Sequence, residues 1–257
     1  MEWLADNDLL MRYSRQILLP QLDVEGQDKL LNARVLVIGM GGLGTPVAMY
    51  LAGAGIGELI IADYDQVELS NLHRQVVHST ADIDRPKVES ARDRMLAINP
   101  EIKVTPITAA LDADTLLQWV EQVTVVVDAS DNFATRFAVN AACVQAKVPL
   151  VSGAAIRMEG QLSVYDSRDE ASPCYRCLFS DEVGEEETCS QTGVLGPVVG
   201  AIGSLQALEV IKVIAEIGEP LVGRLLLFDG LQGEWQRVRL KRDPDCPVCS
   251  VKRISSS

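Results

Sequence analysis

The stretch VLVIGMGGLGTPVAMYLAGAGIG, Val35 to Gly57, decides how this chain is read. It carries no charge over 23 positions, a length that crosses a bilayer. Seven of those positions are glycine (39, 41, 42, 44, 53, 55 and 57) and Pro46 falls among them, so a lone lipid-exposed helix here is weak in its own backbone. The opening reads instead as a short β-branched strand ending at Ile38 and buried on both faces. GMGGLG, Gly39 to Gly44, then fits G-x-G-x-x-G, and TPVAMYLAGAG supplies a helix with Pro46 in its first turn. Strand, glycine turn and helix together aim a helix amino terminus at an anionic ligand.

The same pattern extends outward. Strand-like runs recur at VLVIG (35), LIIAD (59), KVTPI (103), VTVVVDAS (123) and PLVSG (149), with helix-like segments between them. That alternation predicts a doubly wound, mainly parallel sheet over about residues 1–150. Over about 151–250, GAAIRMEGQLSVYDS and GRLLLFDGLQGEWQRVRLKR read as antiparallel strands around a buried helix at 195–216. A second uncharged run, Thr188 to Leu208, is broken by glycines and Pro197 and reads as a loop entering that helix. Residues 251–257 form a loose tail. The fold class is α/β, Rossmann-like, continuing into antiparallel strands, in a single domain of 1–257.

Composition narrows the partners. Lys and Arg number 23 against 36 Asp and Glu, a net charge of −13, which argues against a nucleic-acid footprint. The acidic start MEWLADNDLLMRYSRQ has no basic-then-apolar leader, so the expected compartment is the cytoplasm, with no membrane partner.

A glycine fingerprint alone serves NAD, FAD or other nucleotides. Asp63, 24 residues after Gly39 at the end of the second strand, is placed to take ribose hydroxyls. Ser70, Asn71, Arg74 and Lys87 follow closely. Two cations there suit a polyphosphate better than a hydride-transfer cofactor, although singly each reads as a solvated surface charge. At the end of the fourth strand, Asp128, Asp131 and Asn132 cluster. Asp131 either binds magnesium alongside phosphates or caps the next helix.

CYRC (Cys174, Cys177) and CPVC (Cys246, Cys249) stand 68 residues apart. Four thiolates from two such turns make a closed structural zinc site, one per chain; a redox pair is the lesser alternative. Cys143 reads as core. Cys189 sits in a polar loop beside Glu185, Glu186 and Glu187, whose charge disfavours its thiolate.

Taken in order, RYSRQILLP, GMGGLGTPVAMYLAGAGIG, DYDQVELSNLHRQ, RPKVESA, DASDN, CYRC, TCSQTGVLGPVVGAIGSLQALEVIK and CPVC resemble the MoeB/ThiF (HesA) adenylyltransferases of the ubiquitin-activating superfamily, from about residue 8 to 249. The resemblance implies ATP-dependent adenylation of the carboxyl-terminal glycine of a ubiquitin-like sulfur-carrier protein. That carrier is MoaD-like, of molybdopterin synthase, or ThiS-like, of the thiamine pathway; the 152–177 segment leans to the former. By the same resemblance Gly42 approaches the ATP, Asp63 holds ribose, and Asn71, Arg74 and Lys87 contact phosphates. Asp131 binds magnesium, with Asn132 beside it. Arg15 is similar to an arginine that completes the partner's site in a homodimer, and Cys189 matches a crossover-loop cysteine that only some relatives use. A separate sulfur donor is implied. A nicotinamide oxidoreductase and a noncatalytic zinc-containing scaffold that binds the carrier are the competing classes.

Overall fold

The computed structural model describes residues 1–179 and 192–250, so Cys189 and the tail lie outside the described residues. One eight-stranded sheet runs through the molecule in the order β3-β2-β1-β4-β5-β6-β7-β8. β1 (Arg34–Ile38), β2 (Glu58–Ala62), β3 (Lys103–Ile107), β4 (Val125–Asp128) and the first half of β5 (Leu150–Ile156) are parallel. β6 (Glu159–Tyr165), β7 (Arg224–Asp229) and β8 (Glu234–Arg239) continue the sheet antiparallel.

The uncharged opening stretch is explained by burial on two sides. Val35 and Val37 pack into the core under α3 (Gly44–Ala54), α4 (Lys87–Ile98) and the long helix α8 (Gly196–Ala215). Leu36 and Ile38, pointing the other way, join the core under α5 (Ala113–Val120) and α6 (Phe133–Ala146). Each such side chain stabilises the fold by about 1.5–3 kcal/mol on complete burial, so a charge within Val35–Ile38 is excluded by the fold itself. α8 is long and apolar enough to cross a membrane by length and composition. Here it lies on α3, β5 and β6, and Gly196 and Gly203 serve close packing: a Cβ at Gly203 would meet the Leu43 carbonyl oxygen at 2.4 Å.

Two features depart from the reading by pattern. PLVSG does not end at its glycine. β5 runs on to Ile156, pairing parallel with β4 through Leu150–Ser152 and antiparallel with β6 along its whole length, and Arg157 makes the turn at a left-handed φ of 54°. The amino-terminal segment, read for its charge and for Arg15 and not for its structure, forms α1 (Asn7–Ile17) and α2 (Asp23–Asn32). α1 docks through Tyr13, which is fully buried against Gly55 and accepts a 2.8 Å hydrogen bond from Asn99 Nδ2. The short helix α7 (Tyr175–Leu178) carries the first cysteine pair between β6 and α8.

Candidate functional site

β1 lies between β2 and β4, so the chain leaves β1 and β4 in opposite directions and a crevice opens at their carboxyl ends. A cavity of about 870 Å³ occupies that place. Gly39, Gly41 and Gly42 after β1, Asp63 after β2, and Asp131 and Asn132 after β4 all line it, joined by Asn71, Arg74 and Lys87.

The glycine turn and the acid after β2 hold each other. Asp63 Oδ2 accepts from the Met40 amide at 2.7 Å and Oδ1 from the Asp65 amide at 2.8 Å. Burial pushes the Asp63 carboxyl above its ordinary value, against the opposing pull of Lys87 and the two amides. Lys87 opens α4 directly after Pro86 and is buried, with Nζ 2.7 Å from Asp65 Oδ2. It is therefore no solvated surface charge. From behind, His78 braces the same turn: its Nδ1 is 2.8 Å from Ser90 Oγ and its Nε2 is 3.4 Å from the Met40 carbonyl oxygen.

Arg74 is half-buried at the cavity wall, Nη1 donating to the Ser70 carbonyl at 3.0 Å. Ser70 is not a wall residue; its exposed hydroxyl donates to Glu68 Oε2 at 3.0 Å. Asn71 is buried and closes a short turn, its Oδ1 accepting from the Glu68 amide at 3.1 Å.

After β4 the helix cap is Asn132, whose Oδ1 accepts from the Thr135 amide at 2.9 Å. Asp131 is left on the cavity wall with no capping duty. Asp128 is fully buried and already engaged by the Ser130 amide (3.0 Å), Ser130 Oγ (2.6 Å) and Ser152 Oγ (3.2 Å). Two wall residues escape a reading by motif. Arg136 is buried one turn into α6, where Nη2 donates to the Ser130 carbonyl at 2.6 Å. Burial works to lower its pKa, but the charge of Asp128 and the neighbouring Tyr175 outweigh that and raise it. Gln75 is buried beside Gly41, its Oε1 without a hydrogen-bond partner. A lone arginine in the apolar segment FATRFAVNAACVQA was the available signal for Arg136; Gln75 ends the motif DYDQVELSNLHRQ, where it was given no role.

Arg15 is exposed in the last turn of α1 and does not line this chain's own cavity. Cys143 is core, its thiol pushed up by burial.

The four remaining described cysteines converge. Their sulfurs all lie within 4.8 Å of one another, with Cys174–Cys246 at 3.6 Å, Cys177–Cys249 at 3.4 Å and Cys174–Cys177 at 3.9 Å. A tetrahedral zinc with Zn–S bonds of about 2.3 Å sets its sulfurs about 3.8 Å apart, so the donor set fits zinc. Asn140 of α6 brackets the cluster, its Nδ2 3.6 Å from Cys174 Sγ and its Oδ1 accepting from the Tyr175 amide at 2.8 Å.

A model of the ThiF family matches residues 13–248. The chain belongs to the ThiF family. This ThiF-family chain is 49% identical to the molybdopterin-synthase adenylyltransferase of Salmonella typhimurium over 96% of its own length and 98% of that protein. It is also 49% identical to the sulfur carrier protein ThiS adenylyltransferase of Escherichia coli, over 93% and 94%. Among solved structures, E. coli MccB with ATP superposes with a TM-score of 0.81 at 30% identity, covering 93% of this chain and 74% of that one. The family match spans both halves, the first cysteine pair and Cys246, and ends one residue before Cys249.

Proposed function

We propose that this chain uses ATP to adenylate the carboxyl-terminal glycine of a ubiquitin-like sulfur-carrier protein, with the small subunit of molybdopterin synthase as its carrier. The observation that carries this reading is the convergence of the glycine turn, the Asp63 carboxylate, two cationic side chains and the free carboxylate of Asp131 on one cavity.

In this reaction a carrier carboxylate oxygen attacks the α-phosphorus, the bond to the bridging oxygen breaks, and pyrophosphate leaves. The protein's part is alignment and charge neutralisation. Asp63 accepts from ribose hydroxyls while keeping the glycine turn in shape. Gly41 and Gly42 let the nucleotide approach the backbone, and Asn71, Arg74 and Lys87 take the phosphates. Asp131, with Asn132 beside it, would hold magnesium, which supplies positive charge to the phosphate oxygens when bound. Ser70 contributes through its backbone, positioning Arg74. The cysteine cluster would hold one structural zinc. The chain works in the cytoplasm as a homodimer in which Arg15 reaches the partner's phosphates; exposed Leu18 and Leu19 just beyond α1 supply apolar surface for that contact. A separate protein donates sulfur to the acyl-adenylate.

ATP–pyrophosphate exchange, run without carrier and with each of the two carriers, tests this. Exchange only with the molybdopterin-synthase subunit is the expected result. Exchange only with the thiamine carrier establishes the second reading, for which a ThiS adenylyltransferase of equal identity speaks as much as, and no more than, the molybdopterin relatives speak for the first. No exchange with either overturns both. Cys189→Ala with unchanged thiocarboxylate yield would remove that residue from the pathway.

A further inference from the structure

We propose that Arg136 is a positioning residue that holds Asp131 at the ligand edge of β4, by clamping the turn on which that carboxylate sits. This rests on the reading of Asp131 as the magnesium carboxylate.

A guanidinium that is 7% exposed is costly to bury and needs a built environment. The environment here is the turn from Asp128 to Asn132. Arg136 Nη2 holds the Ser130 carbonyl at 2.6 Å. On the opposite side of the same residue, Asp128 takes both the Ser130 amide and its hydroxyl. Gln206 of α8 donates to the Asp128 carbonyl at 2.9 Å, and Asn132 is tied to the Thr135 amide. Every polar handle of Ser130, and the side-chain oxygen of Asn132, is thus engaged within the protein. The residue between them, Asp131, is exposed at the cavity wall. A carboxylate whose two neighbours are fixed is preorganised for a cation, and removing such outer support typically weakens metal binding 10–100-fold.

The arrangement also explains why arginine stands here. Asp128 needs a counter-charge in the core, which lysine would also supply, but the rigid planar fork reaches a carbonyl while its charge stays against the carboxylate. If Arg136 did nothing beyond neutralising Asp128, Arg136→Lys would leave the cavity unchanged.

The test uses the full zinc-loaded chain and Mn²⁺ as the probe, titrated in the presence of ATP and followed by the electron paramagnetic resonance signal of free Mn²⁺. Arg136→Lys should weaken Mn²⁺ binding about tenfold while ATP binding in EDTA is unchanged. Because a lone substitution can unbalance the core, a double variant, Arg136→Met with Asp128→Asn, removes both charges together and should weaken Mn²⁺ to the same degree. Asp131→Asn is the control. If it weakens Mn²⁺ binding and neither Arg136 variant does, the positioning role is overturned alone. If Asp131→Asn has no effect, the magnesium reading falls and takes this inference with it.

Discussion

Replacing Gly44 with alanine places a methyl group 1.8 Å from the Gly39 carbonyl oxygen, a backbone atom that cannot rotate away. To reach even 3.0 Å, the floor for real Cβ contacts, turn and helix must part by about 1.2 Å, and a misplacement of about 1 Å costs on the order of 100-fold in a positioned reaction. Overpacking of this kind also destabilises by about 1–3 kcal/mol, or roughly 2–12 °C in melting temperature for a chain of this size. Gly41, in the same fingerprint, differs: its added Cβ meets only Gln75 Nε2, at 3.8 Å. Gly41→Ala should therefore melt with the parent yet bind ATP at least tenfold more weakly, because the methyl occupies the line of nucleotide approach. Gly200 in α8, with nothing within 4 Å, is the control, where alanine should raise stability by about 0.5–1 kcal/mol. Scanning fluorimetry gives the melting temperatures and calorimetry the ATP affinities. A Gly44→Ala protein that melts and binds ATP like the parent would refute the packing argument; a Gly41→Ala protein that melts several degrees lower would refute the assignment of that glycine to ligand approach.

Burial, and next the Met40 carbonyl and the charge of Lys87, act on His78, with burial prevailing to lower its pKa below 6.5; the unfolded chain then takes up a proton that the native state refuses, so stability falls as pH drops below 6.5. His78→Gln should flatten that slope in melting temperature between pH 7.5 and 5.5, and an unchanged slope would show that other groups cause it. Cys246→Ser should lower bound zinc, measured by atomic emission, and expose the segment after β8 to limited proteolysis, since such sites supply about 10 kcal/mol or more of folding free energy; full zinc retention would contradict a four-thiolate site. Because burial raises the Asp63 carboxyl above its ordinary 3.8 and the ribose contact needs the ionised form, ATP affinity should decline as pH is lowered towards that raised value. Asp63→Asn should bind ATP weakly with little pH dependence; a parental affinity in that variant would dismiss the ribose role.

The parallel half of the sheet was legible because its strands are buried on both faces, which removes charge from whole runs such as Val35–Ile38. Asp63 and Asp131 were legible because ligands gather where strands end, and the cysteine pairs because four thiolates have one common geometry. Gly153 divided two strand-like runs, yet β5 passes through it unbroken, and its missing side chain makes room for Gln206, whose Cδ would lie 2.4 Å from an added Cβ. The change from parallel to antiparallel pairing near residue 150 was legible, but that a single strand, β5, carries both kinds of partner was not, because alternation along a strand records which face is buried and not how many neighbours it has. Lys87 and Arg136 share a different obstacle: a cation's burial depends on a carboxylate or carbonyl supplied by another part of the chain, Asp65 for the one and the Asp128–Ser130 turn for the other.

α6 joins the two chemistries that the sequence displays as separate motifs. Its amino end holds the Asp131 turn through the Asn132 cap and Arg136, and one turn further on Asn140 brackets Cys174 and Tyr175. Tyr175 itself stacks on Phe179 at 4.6 Å, reaches Phe137 and Tyr165 edge-on, and lines the cavity. The cysteine cluster therefore does more than tether the segment after β8, because Cys174 and Asn140 set the seat of an aromatic group that forms one wall of the cavity. A helix anchored at its amino end and again at its middle is held as a unit there: its packed side chains occupy discrete arrangements and do not deform continuously. That rigidity is what a carboxylate requires if it is to meet a metal and a phosphate at fixed distance, and it accounts for a buried arginine and a buried asparagine on the same helix, four residues apart.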